Sequence, residues 1–195
     1  MTEGRSIYFR FSCIKTLVLF IALMIVFFIK VISVDPAGSV INADFMKLLQ
    51  REVMLGYLQS GLISMTVISV IESIIAWKID SEKKSKLIRI GICIFLMIVG
   101  LSIFGINARK SVIVNKNAPK VELLEVVESE IVTFKPSNIF RTRGNKKYDY
   151  IMEFSNGSMY KWERASGLGN PVGSYYVVQC GDIVIGVYDD IFYKV

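Results

Sequence analysis

The sequence predicts an α+β membrane protein, with three transmembrane helices followed by a small antiparallel β domain. Three observations predict it. The chain has 195 residues and is 53% hydrophobic, which is high for a soluble chain, and the apolar residues crowd into its first half. The stretch WKIDSEKKSKLIR, residues 77–89, sets Lys78, Lys83, Lys84, Lys86 and Arg89 between two long apolar runs. Hydrocarbon cannot hold such a loop, and short basic loops between spans stay on the cytoplasmic side. Beyond residue 120 the apolar period changes from helical spacing to alternation, and turn signals appear.

Residues 1–13 read as a cytoplasmic N-terminus with Arg5 and Arg10 among aromatic residues. The first span is expected at about 14–34. Its uninterrupted apolar part, 16–29, is short of the roughly 20 residues a spanning helix wants. Lys30 extends it if its stem snorkels to the headgroups. The sequence Asp35-Pro36-Ala37-Gly38 then stops the helix. A cleaved signal peptide, cut near Ala37 or Ala43, is the rival reading, and neither site has a good small-x-small pattern.

Residues 40–52, VINADFMKLLQRE, place apolar side chains at 41, 45, 48 and 49. That spacing predicts a short amphipathic helix, capped by Asn42 or Asp44, at the outer interface or leading straight into the second span. The second span, 53–77, carries Gly56, Ser60 and Ser64 at four-residue intervals. Such a stripe shares one face and is a candidate helix-packing surface. Glu72, with Ser69 and Ser73, is the candidate intramembrane polar site, because an ionisable group at that depth is a functional hypothesis. The plainer expectation is a glutamate at the cytoplasmic interface, paired with Lys78 or a neighbouring lysine. Residues 78–86 form the basic loop and 87–106 the third span, in which Gly100 and Gly105 are expected to pack against the second. These spans bound a transmembrane region over 14–106. Lys and Arg number about eight on the side of the N-terminus and the 78–89 loop, against about six near the spans on the other. The N-terminus is then cytoplasmic and the C-terminus outside.

Residues 107–120, with NKNAPK, read as a linker. Residues 121–195 read as an extracytoplasmic β domain. Residues 121–134 are rich in β-branched side chains, although 121–127 also suit a helix. Asn156-Gly157 between KKYDYIMEF and SMYKWE is a hairpin signal. Tyr148, Tyr150, Met152 and Phe154 alternate onto one face. YYVVQ, DIVIGVY and IFYKV follow as further strands. Five or six short strands in so short a stretch predict a partly open barrel of SH3-like or OB-like size, large enough for a core of its own.

The formal net charge is +6 and there is no histidine. The positive charge gathers at the edges of apolar segments, a membrane pattern and not a nucleic-acid one. Without histidine the commonest general base and zinc ligand are gone. Cys13, Cys93 and Cys180 are far apart, so no metal site and no cofactor are expected. GLGNPVG, 167–173, resembles a phosphate loop, but a proline and a strand follow where a helix N-terminus is needed. Arg141, Arg143, Lys146 and Lys147 beside Phe140 and Tyr148 form a candidate patch for an anion or a partner. The acids Glu122, Glu125, Glu128 and Glu130 have nothing to set one apart as a catalytic acid. The Asn156-Gly157-Ser158 sequon is accounted for by the turn.

The chain is therefore expected to be a non-enzymatic, multi-pass protein of a bacterial inner or cytoplasmic membrane. Its partners would be membrane lipid and a protein of the membrane or envelope, with no nucleic acid. The expected role is an accessory or binding module, as a complex subunit or an immunity-type protein against a toxin. The alternative is a small transport or channel subunit using Glu72.

Overall fold

The computed structural model describes residues 7–30, 39–77, 83–135, 147–165 and 171–195. Three helices come first: α1 (Ile7–Ile29), α2 (Ala43–Trp77) and α3 (Lys83–Lys116). Five strands follow: β1 (Lys120–Lys135), β2 (Lys147–Phe154), β3 (Met159–Ala165), β4 (Ser174–Cys180) and β5 (Ile183–Asp189). All three helices contain a segment long and apolar enough to cross a membrane: Phe9–Ile29, Ala43–Trp77 and Ile88–Lys116. The chain divides into two units, one of Met1–Ser33 with Arg51–Ile113 and one of Val34–Gln50 with Val114–Val195.

The helical unit packs as antiparallel neighbours. On α1 the less exposed side recurs at Ser12, Lys15, Thr16, Leu19, Ala22, Leu23, Val26 and Lys30, one stripe of helical period. Val26, Leu55 and Leu62 are buried together, with Leu19, Leu58 and Phe104 packed around them. The opposite faces remain apolar: Leu17, Val18, Ile25 and Phe28 on α1 and Phe95, Ile98 and Leu101 on α3 are all exposed. α2 meets α3 closely at two glycines. A Cβ on Gly61 would lie 3.1 Å from the Phe104 ring, and one on Gly100 would lie 3.0 Å from Met65 Sδ. Gly105 has open space around it.

α3 continues to Lys116, through the stretch whose polarity suggests a linker from residue 107. Polar side chains here support the helix. Asn107 Nδ2 donates to Ile103 O at 2.9 Å and Ser111 Oγ to Met54 O at 3.1 Å. Lys110 Nζ stands over the Tyr57 ring, 5.6 Å from its centroid. At the helix end, Gln50 Nε2 donates to Val114 O and Asn117 O at 2.6 and 2.9 Å, satisfying carbonyls that have no intrahelical donor. Pro119 lies just beyond, where it cannot continue the helix.

In the β unit the strand order is β3-β2-β1-β4-β5, all neighbours antiparallel. β1 is the organiser. Its first half, Lys120 to Glu125, pairs with β4 and its second half, Val126 to Lys135, pairs with β2. The whole of 121–134 is thus strand, including the part that also suits a helix. Register shifts at Val126/Glu128 and Ile131/Thr133 increase its twist, and β3 comes round to touch β5. The result is a nearly closed antiparallel sheet of five strands. Tyr150, Met152 and Phe154 are buried as their alternation predicts, with Tyr175 and Val177 from β4. Trp162 meets Tyr175 edge to face at 5.6 Å, an arrangement worth about 0.5–1.5 kcal/mol beyond its buried area.

The β2–β3 turn is a type I turn closed by Gly157. Gly157 N donates to Phe154 O at 2.8 Å, Phe154 N donates to Ser158 O at 2.9 Å, and Gly157 sits at φ 78°. Asn156 keeps a negative φ and accepts from Ser158 N and Oγ, so the pair acts as a turn with a glycine bulge. IFYKV is not a strand. It makes one parallel bridge, Val40 to Lys194, because Tyr193 N and Phe192 N turn back onto Asp189 O.

The amphipathic stretch 40–52 runs straight into the second helix, and Asn42 is its cap: Phe45 N donates to Asn42 Oδ1 at 2.8 Å. Ile41, Phe45 and Leu49 are buried and Leu48 is exposed. Phe45 lies edge-on to Tyr188 at 5.5 Å. A Cβ on Gly186 would come within 2.8 Å of Leu49 Cδ2. The β sheet therefore shares its unit with the start of α2 and does not end at the strands.

Candidate functional site

The helical unit holds one concentrated polar cluster, built from two short repeats. On α1, Ser12 and Thr16 are one turn apart with Lys15 between them. On α2, Ser69 and Ser73 are one turn apart with Glu72 between them. Residues at i, i+3 and i+4 share a helix face, so each helix presents two hydroxyls and one charge. Antiparallel packing brings the two sets together.

Lys15 Nζ forms an ion pair with Glu72 Oε2. Ser12 Oγ and Ser73 Oγ are 2.8 Å apart, and Thr16 Oγ1 is 2.7 Å from Ser69 Oγ. Thr16 Oγ1 also donates to Ser12 O, and Ser73 Oγ to Ser69 O, both at 2.9 Å. Ser12, Ser69 and Glu72 are buried. Glu72 Oε1 is buried too and has no hydrogen-bond partner among the described residues. An uncompensated carboxylate here would be costly, and the ammonium of Lys15 is what offsets it.

Glu72 thus faces the interior of the helical unit, about 7 Å from Trp77 along the helix axis, and its partner is Lys15 of α1. The lysine that pairs with it is Lys15; Lys78 lies outside the described residues. Ser69 and Ser73 join the same cluster, as their grouping with Glu72 implies. Lys15, Ser12 and Thr16 are the residues that sequence reasoning missed. Their signal was present: a serine–lysine–threonine group sits early in α1, at the depth that an antiparallel partner gives to Glu72.

The stripe Gly56, Ser60 and Ser64 is only partly used. Gly56 faces α1, where Lys30 Nζ would lie 3.6 Å from a Cβ at that position. Lys30 Nζ donates to Gln59 Oε1 at 3.2 Å. Ser60 is exposed and Ser64 half-buried, its hydroxyl returned to Ser60 O. Gly61, one residue over, makes the closer approach to α3.

The candidate patch Arg141, Arg143 and Lys146 lies outside the described residues, as does most of 167–173. Lys147 opens β2. No group of three or more metal-ligating side chains occurs among the described residues. Glu122, Glu125, Glu128 and Glu130 are exposed along β1, with Glu128 opposite Glu153. Cys180 is fully buried, and burial pushes its thiol above the ordinary range. Comparison with family models, curated proteins and solved structures finds no match.

Proposed function

We propose that this chain is a membrane-embedded accessory module. Three spanning helices hold a small SH3- or OB-like barrel outside the cytoplasm, where it binds an envelope protein or a toxin without catalysis. The N-terminus and the basic 78–86 stretch, whose last residues open α3, are cytoplasmic in this reading, and the membrane is a bacterial inner or cytoplasmic one. The apolar outer faces of α1 and α3 support the membrane placement.

One observation carries the choice of a scaffold over a conduit. Ser12 pairs with Ser73, Thr16 with Ser69 and Lys15 with Glu72 across α1 and α2, and Val26, Leu55, Leu62 and their apolar neighbours pack together further along. The ion pair then works as a clasp that fixes α1 on α2. It also gives α1 a lasting structural role, which favours an uncleaved first span.

The rival reading is a small transport or channel subunit. Two observations favour it: Glu72 points inward, and its Oε1 is buried without a partner among the described residues. The test is reconstitution of the full chain into vesicles loaded with a pH-sensitive dye, with a proton or cation gradient imposed. The scaffold reading expects flux equal to empty vesicles. Flux that the wild type supports and Glu72→Gln abolishes would replace it with the transport reading.

A further inference from the structure

The geometry points to a lipid site: the groove between α1 and α2 holds one acyl chain of an anionic glycerophospholipid. The inference rests on the reading of these helices as membrane-spanning. The groove is an open cavity of about 460 Å³, inside the range of roughly 300–1,000 Å³ for small-molecule sites. Phe9, Cys13, Leu17, Val70, Ile74 and Trp77 line it, and its wall is almost wholly apolar.

Thr16 and Ser73 also reach the wall, but their hydroxyls are already engaged. Thr16 Oγ1 is bonded to Ser12 O and Ser69 Oγ, and Ser73 Oγ to Ser69 O and Ser12 Oγ. Thr66 Oγ1 donates to Leu62 O, so the hydroxyls of this wall are engaged and the thiol of Cys13 is its weak remaining donor, whereas a hydrocarbon chain needs none. A second helix is the other occupant such a wall could take, since Cys13, Thr16, Thr66 and Ser73 are small, and the test below separates the two.

The groove has a polar end. Phe9 and Trp77 mark the start of α1 and the end of α2, and tryptophan favours the headgroup level. Arg10 is exposed and lies three and seven residues before Cys13 and Leu17, on the same side of the helix. A cation at that level selects a negative headgroup while the chain lies along the groove toward Phe20.

The test uses the full chain in phosphatidylcholine vesicles, in a Trp162→Phe background so that Trp77 is the sole indole. Tail-brominated phosphatidylglycerol or tail-brominated phosphatidylcholine is added as the dilute quencher. The expected result is about a fivefold preference for the anionic lipid, as one surface cation implies. Arg10→Gln should equalise the two lipids. Cys13→Phe with Val70→Phe should fill the groove and abolish the excess quenching. Equal quenching by both lipids in the wild type, or unchanged excess in the filled variant, would overturn the site. So would Trp77 shielded from every brominated lipid, which would mean that a second copy or another helix covers the face. A chain that fails to float with the vesicles would instead remove the membrane reading, and this site with it.

Discussion

At the scale of single residues, the Lys15–Glu72 pair is where most depends on least. Removing one partner of a buried ion pair leaves the other charge uncompensated, a loss of about 3–5 kcal/mol. Glu72→Gln and Lys15→Gln should each lower the unfolding midpoint of the detergent-purified protein steeply. The double variant Lys15→Met with Glu72→Met removes both charges and should recover most of the loss. A double variant as unstable as the singles would show that the carboxylate has a role other than clasping. Cys180 provides a second residue-level expectation. Its thiol is buried and its pKa raised, so its contribution to stability is intact below the ordinary thiol pKa. That contribution is lost as pH rises through the folded value, because the unfolded thiol ionises first. At neutral pH it should resist an alkylating reagent in the native protein and react once denaturant is added. Mass analysis of the labelled peptide checks this, and rapid native labelling would mean that the β core opens.

At the scale of elements, the structure ties the first turns of α2 to the sheet. Leu49 rests on Gly186 and Phe45 on Tyr188. Gly186→Val should therefore destabilise the β unit strongly, since a Cβ there meets Leu49 and Tyr188 at 2.8 Å. Leu49→Ala should cost about 2–5 kcal/mol, read as a drop in the thermal midpoint of the β signal in circular dichroism. If both variants melt like the wild type, the strands hold a core without this helix. This is also where the sequence was only partly legible. The periodicity of Ile41, Phe45 and Leu49 announced a buried face, and Asn42 announced its cap. Nothing local could say that the face would meet β5, because amphipathic spacing names the buried side and not its partner. The linker expected from residue 107 failed for a related reason. Asn107, Lys110 and Ser111 read as solvated, yet each is used by a neighbouring helical residue. In β2, alternation sufficed, because one buried face of a strand is written directly into its period. The serine–lysine–threonine group of α1 was readable in principle, but only once the antiparallel register with α2 was in hand.

At the scale of the whole molecule, length and apolarity explain the division of labour among the helices. α2 and α3 have 35 and 34 residues, about 50 Å each, against a bilayer core of about 30 Å. Of these residues, Ala43–Gln50 of α2 and Val114–Lys116 of α3 belong to the second unit. The proposed function requires membrane threading with the basic 78–86 stretch inside and the sheet outside. The most direct test places single reporter cysteines at Ser85 and Ser166, in a background with Cys13, Cys93 and Cys180 replaced. Intact cells are then treated with a membrane-impermeant thiol reagent. The account predicts labelling at position 166 and protection at 85 until the membrane is permeabilised. Labelling at 85 with protection at 166 would contradict it and put the sheet on the cytoplasmic side.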